Sequence, residues 1–183
     1  MDHVSLHTLK PNVTRQDAQR AFSVGLSARA WRMRSGPLRR IAEAYVPYRG
    51  YRVNYNMAGV EQSRFFALDV VTGSLDLFEF PKAPEGEQLL AVQTRNYLPS
   101  ALSSADAENL LREKALRAIF LQGFFKLRGG KINVAREGPE FYIPYWLGFH
   151  GTANMVRCRV LDAVRRRIEG AKATALFEQW LAA

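Results

Sequence analysis

The side chains able to do chemistry are few and scattered along the chain. His3 and His7 stand four residues apart, a spacing that brings two imidazoles to one metal ion when the backbone is helical. No third ligand follows nearby, and a segment this close to the terminus is more often solvated than ligating. Cys158 and His150 supply a thiol and a base, and Arg157 and Arg159 would favour a thiolate if they faced it. Strand alternation sends both arginines to the other side and sets the thiol in an apolar row with Val156 and Val160, the pattern of an inert buried cysteine. Asp69 and Asp162 each close a strand before a turn, where a carboxylate usually accepts backbone N–H groups instead of doing acid-base work. Gly129, Gly130 and Lys131 form the tail of a phosphate-loop pattern. Phe125 stands where its first glycine belongs, and Ile132 where a Ser or Thr would reach magnesium. The sequence therefore nominates no catalytic residue, no cofactor and no metal ligand.

Arginine is the more informative signal. Lys and Arg number 26 against 17 Asp and Glu, a net charge of +9, which attracts nucleic acid or other anionic surfaces. The charge is spread along the chain, without a basic tail. Arg157 and Arg159 share one strand face, Arg165, Arg166 and Arg167 follow at a turn, and Arg32, Arg34, Arg39 and Arg40 cluster earlier. Together they could make one basic ridge, although charged edges and turns also serve solubility and keep strands from pairing with neighbours. Tyr51, Tyr55 and Trp146 complete the candidate interaction residues. On strand-like segments they either join two sheets or form an open aromatic face, and large aromatics are more often buried than displayed.

The elements that would position these residues follow from periodicity. Thr14 and Asp17 signal a helix start, and Ala18, Ala21, Phe22, Gly25, Leu26, Ala30 and Met33 form one apolar stripe that ends near Ser35, Gly36 and Pro37. Strands are expected at Ile41 to Tyr55, Arg64 to Val71 and Leu75 to Phe80, with Pro47 implying an edge, a bulge or a strand start. Pro81, Pro84, Gly86 and Pro99 mark 81–103 as a linker holding a short strand at Leu89 to Val92. A second helix starts at Ser103 or Ser104 with Asp106 in its first turn, and its stripe is Ala107, Leu110, Leu111, Ala115, Ala118, Ile119 and Phe125. Gly129 to Pro139 add a hairpin, strands follow at Phe141 to Phe149 and Met155 to Val164, and a helix closes the chain from Lys172. Tyr45-Val46-Pro47-Tyr48 and Tyr142-Ile143-Pro144-Tyr145 occupy matching places in this order. The expectation is an α+β fold of two repeated units, each one helix on an antiparallel three-to-four-stranded meander. The units span 1–80 and 104–183, and pack together because each alone buries little surface.

An apolar content of 48% is enough for a packed core, and a lone Cys158 rules out an internal disulfide. No apolar run approaches the roughly 20 residues of a membrane span, and Met1, Asp2, His3 and Val4 do not look like a secretory signal, so a cytoplasmic setting is expected. The run Leu68-Asp69-Val70-Val71-Thr72-Gly73, after a helix and strands, resembles a PepSY-type, cystatin-like unit, its Asp-x-x-Thr-Gly turn complete only in the first copy. Members of that family are mostly exported or membrane-attached. The resemblance implies a binding or inhibitory module and brings no catalytic residues. The function expected is a non-enzymatic interaction or scaffold module that takes a protein partner through a strand edge or an aromatic sheet face. The alternative is nucleic-acid or anionic-surface binding through the arginine ridge.

Overall fold

The computed structural model describes residues 3–57, 59–76, 81–123, 127–152 and 155–182, without the side chains of 120–131 and 152. In chain order the elements are β1 (Val4–Leu9), α1 (Arg15–Ser23), α2 (Leu26–Ser35), β2 (Leu38–Met57), β3 (Val60–Asp69), β4 (Leu75–Asp76) and β5 (Leu89–Thr94). They continue with α3 (Ser104–Gly123), β6 (Leu127–Arg136), β7 (Phe141–Thr152), β8 (Met155–Asp162), β9 (Arg167–Ile168) and α4 (Ala171–Ala182). The end of the expected strand Leu75 to Phe80 and Phe125 of the second helix's stripe lie outside the described residues.

All the described strands belong to one nine-stranded sheet ordered β4-β3-β2-β7-β1-β5, with β6 on β2 and β8 then β9 continuing from β7. Its ladders are antiparallel except where Thr8 of β1 meets Tyr142 of β7 in parallel. This overturns the expectation of two cystatin-like units, each a helix on its own three-to-four-stranded meander. The chain is instead a mostly-sheet protein built on a single mixed sheet. The expected leader and the expected linker both enter it: β1 pairs with β5 from Val4↔Thr94 to Leu9↔Leu89. Nor does β6 fold back on β7 as a hairpin. It pairs with the C-terminal half of β2, while β7 pairs with the N-terminal half. A 20-residue strand is long enough to serve both neighbours.

At the centre the two Tyr-x-Pro-Tyr stretches lie side by side and antiparallel. Val46 faces Ile143, Tyr45 faces Pro144 and Pro47 faces Tyr142. Pro47 is therefore central, not an edge marker. Its missing N–H falls at a seam: Leu98 N–H donates to the Tyr45 carbonyl, and two residues on Val70 N–H donates to the Pro47 carbonyl where β3 takes over. Matching bonds recur at Pro144, whose carbonyl accepts from Ala163 N–H. The Tyr48 and Tyr145 hydroxyls meet at 3.4 Å in the same region.

The helices cross over. On α1, the Thr14 hydroxyl accepts from Asp17 N–H and the Asp17 carboxylate accepts from Thr14 N–H, each at 3.2 Å. Its buried face, Ala18 and Phe22, packs with Trp146, Leu161 and Ala163 of the C-terminal half, and the Trp146 indole donates to the Val13 carbonyl at 3.0 Å. Likewise α3, capped by Ser103, sets Ala107, Leu111, Ala115 and Ile119 on Tyr51, Val53, Tyr55 and Phe66 of the N-terminal half. The opposite sheet face carries Val46, Tyr48, Ile143, Tyr145 and Leu147, closed by Phe177 of α4.

The single long first helix expected from the sequence does not form. Gly25 adopts φ 96° and Gly36 φ 86°, so α2 is a separate segment between two left-handed-side glycines. The break rotates the stripe out of phase. Leu26 and Met33 are 86% and 84% exposed, and Ala28 and Ser35 are buried in their place.

Candidate functional site

Strand alternation on β8 decides where the arginines go. Cys158, Val160 and their neighbours on that face enter the core closed by α4, whereas Arg157, Arg159 and Leu161 face α1 and α2. Above them, a cavity of about 660 Å³ opens between α2, β8 and the start of α4. Arg34, Arg157, Arg159, Trp31, Ser27 and Ile168 line one side. Gly170 and Ala171 border the other, bringing the positive end of the 12-residue α4 to the opening. Two carboxylates also border it, and both are engaged. Glu169 pairs with Arg167 at 3.0 Å, and a Glu178 oxygen accepts from Cys158 N–H at 3.3 Å.

Arg159 is the unusual group. It is only 5% exposed, yet it forms no ion pair among the described residues. Its Nη2 donates to the Ser27 hydroxyl at 3.2 Å, and its guanidinium lies 5.5 Å from the centre of the Trp31 ring. A cation–π contact offsets part of the desolvation, but a buried guanidinium normally holds a carboxylate. Burial accordingly pushes the Arg159 pKa below its ordinary value. Among the described residues, four buried side-chain polar atoms lack a hydrogen-bond partner: Trp31 Nε1, Ser35 Oγ, His150 Nε2 and Arg159 Nη1. All four sit on α2 or on the paired strands β7 and β8 beneath it. His150 packs edge-on to Trp31 and to Phe22, and its Nδ1 faces the Gly36 carbonyl at 3.4 Å. Burial, against that hydrogen bond, lowers its pKa, so the ring is neutral, with Nδ1–H donating and Nε2 left as an acceptor.

The remaining candidates are placed as follows. Tyr51, Tyr55 and Trp146 are 1%, 6% and 6% exposed, inside the cores beneath α3 and α1. Arg165 is taken up internally, bound to Asp162 at 2.5 Å and also to Asp76. Since β4 and β9 end the strand path β4-β3-β2-β7-β8-β9, this bridge ties the two ends of a curled sheet together. Arg166 occupies the left-handed region at φ 57° in the turn after Asp162. Asp69 and Asp162 both take the turn role expected of them. Asp69 accepts from Val71 N–H and Thr72 N–H, and Asp162 from Val164 N–H and Arg165 N–H. The Cys158 thiol is pushed up to about 12 by burial and by Glu178, and lies on the sheet face opposite His150. His3 and His7 are exposed, and the described residues contain no group of three metal-ligating side chains. The Gly129-Gly130-Lys131 run is extended strand within β6.

The alternation on β8 thus brings Arg157 and Arg159 to one site with Arg34, while Arg165 goes to Asp162 and Asp76 and Arg167 pairs with Glu169 at the cavity's edge. Trp31 carried no sequence signal, because its place depends on the break at Gly25. No protein-family model, curated protein or solved structure matches this chain, so its site rests on its own geometry.

Proposed function

We propose that the protein is a binding module for an anionic partner, received where Arg34, Arg157 and Arg159 meet. One observation carries this reading: these three arginines surround one opening and make no ion pair among the described residues, and the innermost is buried. An uncompensated cation in a low-dielectric site favours an arriving anion far more than an exposed one does. An acidic protein segment fits better than a nucleic acid, since a phosphate-tracking ridge would need Arg165 and Arg167, both held by Asp or Glu. Strand addition at β8 is disfavoured, because Glu178 covers the outward Cys158 N–H.

The test is fluorescence anisotropy with a labelled polyglutamate peptide and a labelled single-stranded oligonucleotide, across a salt series. Peptide binding is expected at low ionic strength, and Arg34→Glu with Arg157→Glu should weaken it at least tenfold, while Arg117→Glu on α3 should not. Absence of peptide binding at low salt, or preference for the oligonucleotide, would overturn it.

A further inference from the structure

The seat beneath α2 identifies the chemical group that the pocket takes. We propose that Arg159 and Trp31 together form a receptor for a single carboxylate, belonging to an organic acid or to an acidic side chain, whose apolar body lies along the pocket wall. This rests on the reading of the opening as anion-receptive.

Four unpartnered atoms under one helix call for a ligand or for ordered water. Water would satisfy hydrogen bonds but would leave the buried guanidinium charge unbalanced. Donor identity narrows the choice. Arg159 Nη1–H and Trp31 Nε1–H are both donors on residues that line the cavity, whereas the His150 tautomer presents an acceptor and Ser35 lies outside the lining. Two N–H donors match the two oxygens of a carboxylate.

Charge selects the same group. The buried Arg159 seat holds one full positive charge, which a monoanion balances, while Glu169 and Glu178 stand in the same lining as the outer cations Arg34 and Arg157. The wall supplies Ala30, Ile168, Ala171 and Ala175, which accept hydrocarbon without a polar demand. A volume of about 660 Å³ falls inside the range of about 300 to 1,000 Å³ seen for small-molecule sites. The glycines bounding α2 set it off as a separate segment over the seat, with Leu26 and Met33 left in solvent on its outer face.

The experiment is a proton–nitrogen NMR titration of the full chain with acetate, hexanoate and inorganic phosphate. The Trp31 indole N–H resonance is assigned by its loss in Trp31→Phe. A saturable shift of that resonance is expected with hexanoate, tighter than with acetate by the wall contacts, and weak or absent with phosphate. Arg159→Gln should abolish the shift and Arg159→Lys should retain part of it, with thermal melts showing that each variant is folded. No saturable shift with either carboxylate, or a stronger one with phosphate, overturns the proposal. Its failure is separable from that of the function above: peptide binding that survives Arg159→Gln but falls with Arg34→Glu and Arg157→Glu keeps the surface reading and removes the carboxylate seat.

Discussion

At the scale of single residues, this protein uses arginine in two opposite ways. Arg165 is saturated, with Asp162 and Asp76 both on its guanidinium and their carboxylates nearly buried. Arg165→Met leaves both acids without their cation and is expected to cost about 3 kcal/mol, read as a lowered midpoint in urea unfolding. Arg159, two strand positions before Leu161, has no such partner. Its neighbour His150 makes the site sensitive to acid. The folded pKa of His150 lies below the ordinary 6.5, so the unfolded chain binds the proton more readily. Stability from this group is present above 6.5 and declines as pH falls through and below that value. Arg159 and the Gly36 carbonyl are the charged and polar groups facing the ring. The thermal midpoint should drop between about pH 7 and pH 5, and His150→Gln should flatten that part of the profile. A sequence reader can see Arg157 and Arg159 as a pair because alternation is a local rule. The pairing of Arg165 with Asp162 is local as well, three residues apart, whereas its second partner, Asp76, lies far away in the chain.

At the scale of elements, the helix starts were legible and their extents were not. Thr14 with Asp17 and Ser103 with Asp106 form the caps that their types and spacing imply. The apolar stripe from Ala18 to Met33 reads as one helix because Gly25 costs such a pattern only about 1 kcal/mol, whereas the sheet below accepts Ala28 and Ser35 only after a break. Docking of α1 turns on a glycine that the sequence left unremarked. A methyl group added at Gly148 would lie 2.8 Å from the Phe22 ring, so the strand lacks a side chain there to let the helix approach. Gly148→Ala is expected to destabilise by roughly 1–3 kcal/mol through overpacking. Hydrogen exchange should show the loss first in the amides of α1. Unchanged protection of α1 in that variant would mean that Phe22 has another place to go.

At the scale of the whole molecule, the two Tyr-x-Pro-Tyr stretches were visible as corresponding parts, but not as direct neighbours. Periodicity assigns each strand a period and a face, and it is silent about which strand lies beside which. Here β2 and β7 pair through these stretches and draw all the described strands into one nine-stranded sheet in place of the two separate meanders that periodicity suggests. The aromatic residues Tyr51, Tyr55 and Trp146 sit in a pattern that admits either burial or display. They are buried, each under a helix from the other half of the chain. That exchange of helices has a consequence for biosynthesis. During translation α1 leaves the ribosome long before β7 and β8 exist, and at about 5–20 residues per second the delay amounts to several seconds. Throughout that interval Phe22 and Ala18 lack Trp146, Leu161 and Ala163 and have only Ile41 and Leu38 of β2 as strand residues within their cluster, so the growing chain carries a partly uncovered apolar helix that a chaperone can hold. Chains arrested before Phe141 should therefore be cut by protease within α1, and chains released after Asp162 should resist. If the arrested chains were already protected, α1 would have to settle first on its own half and move later.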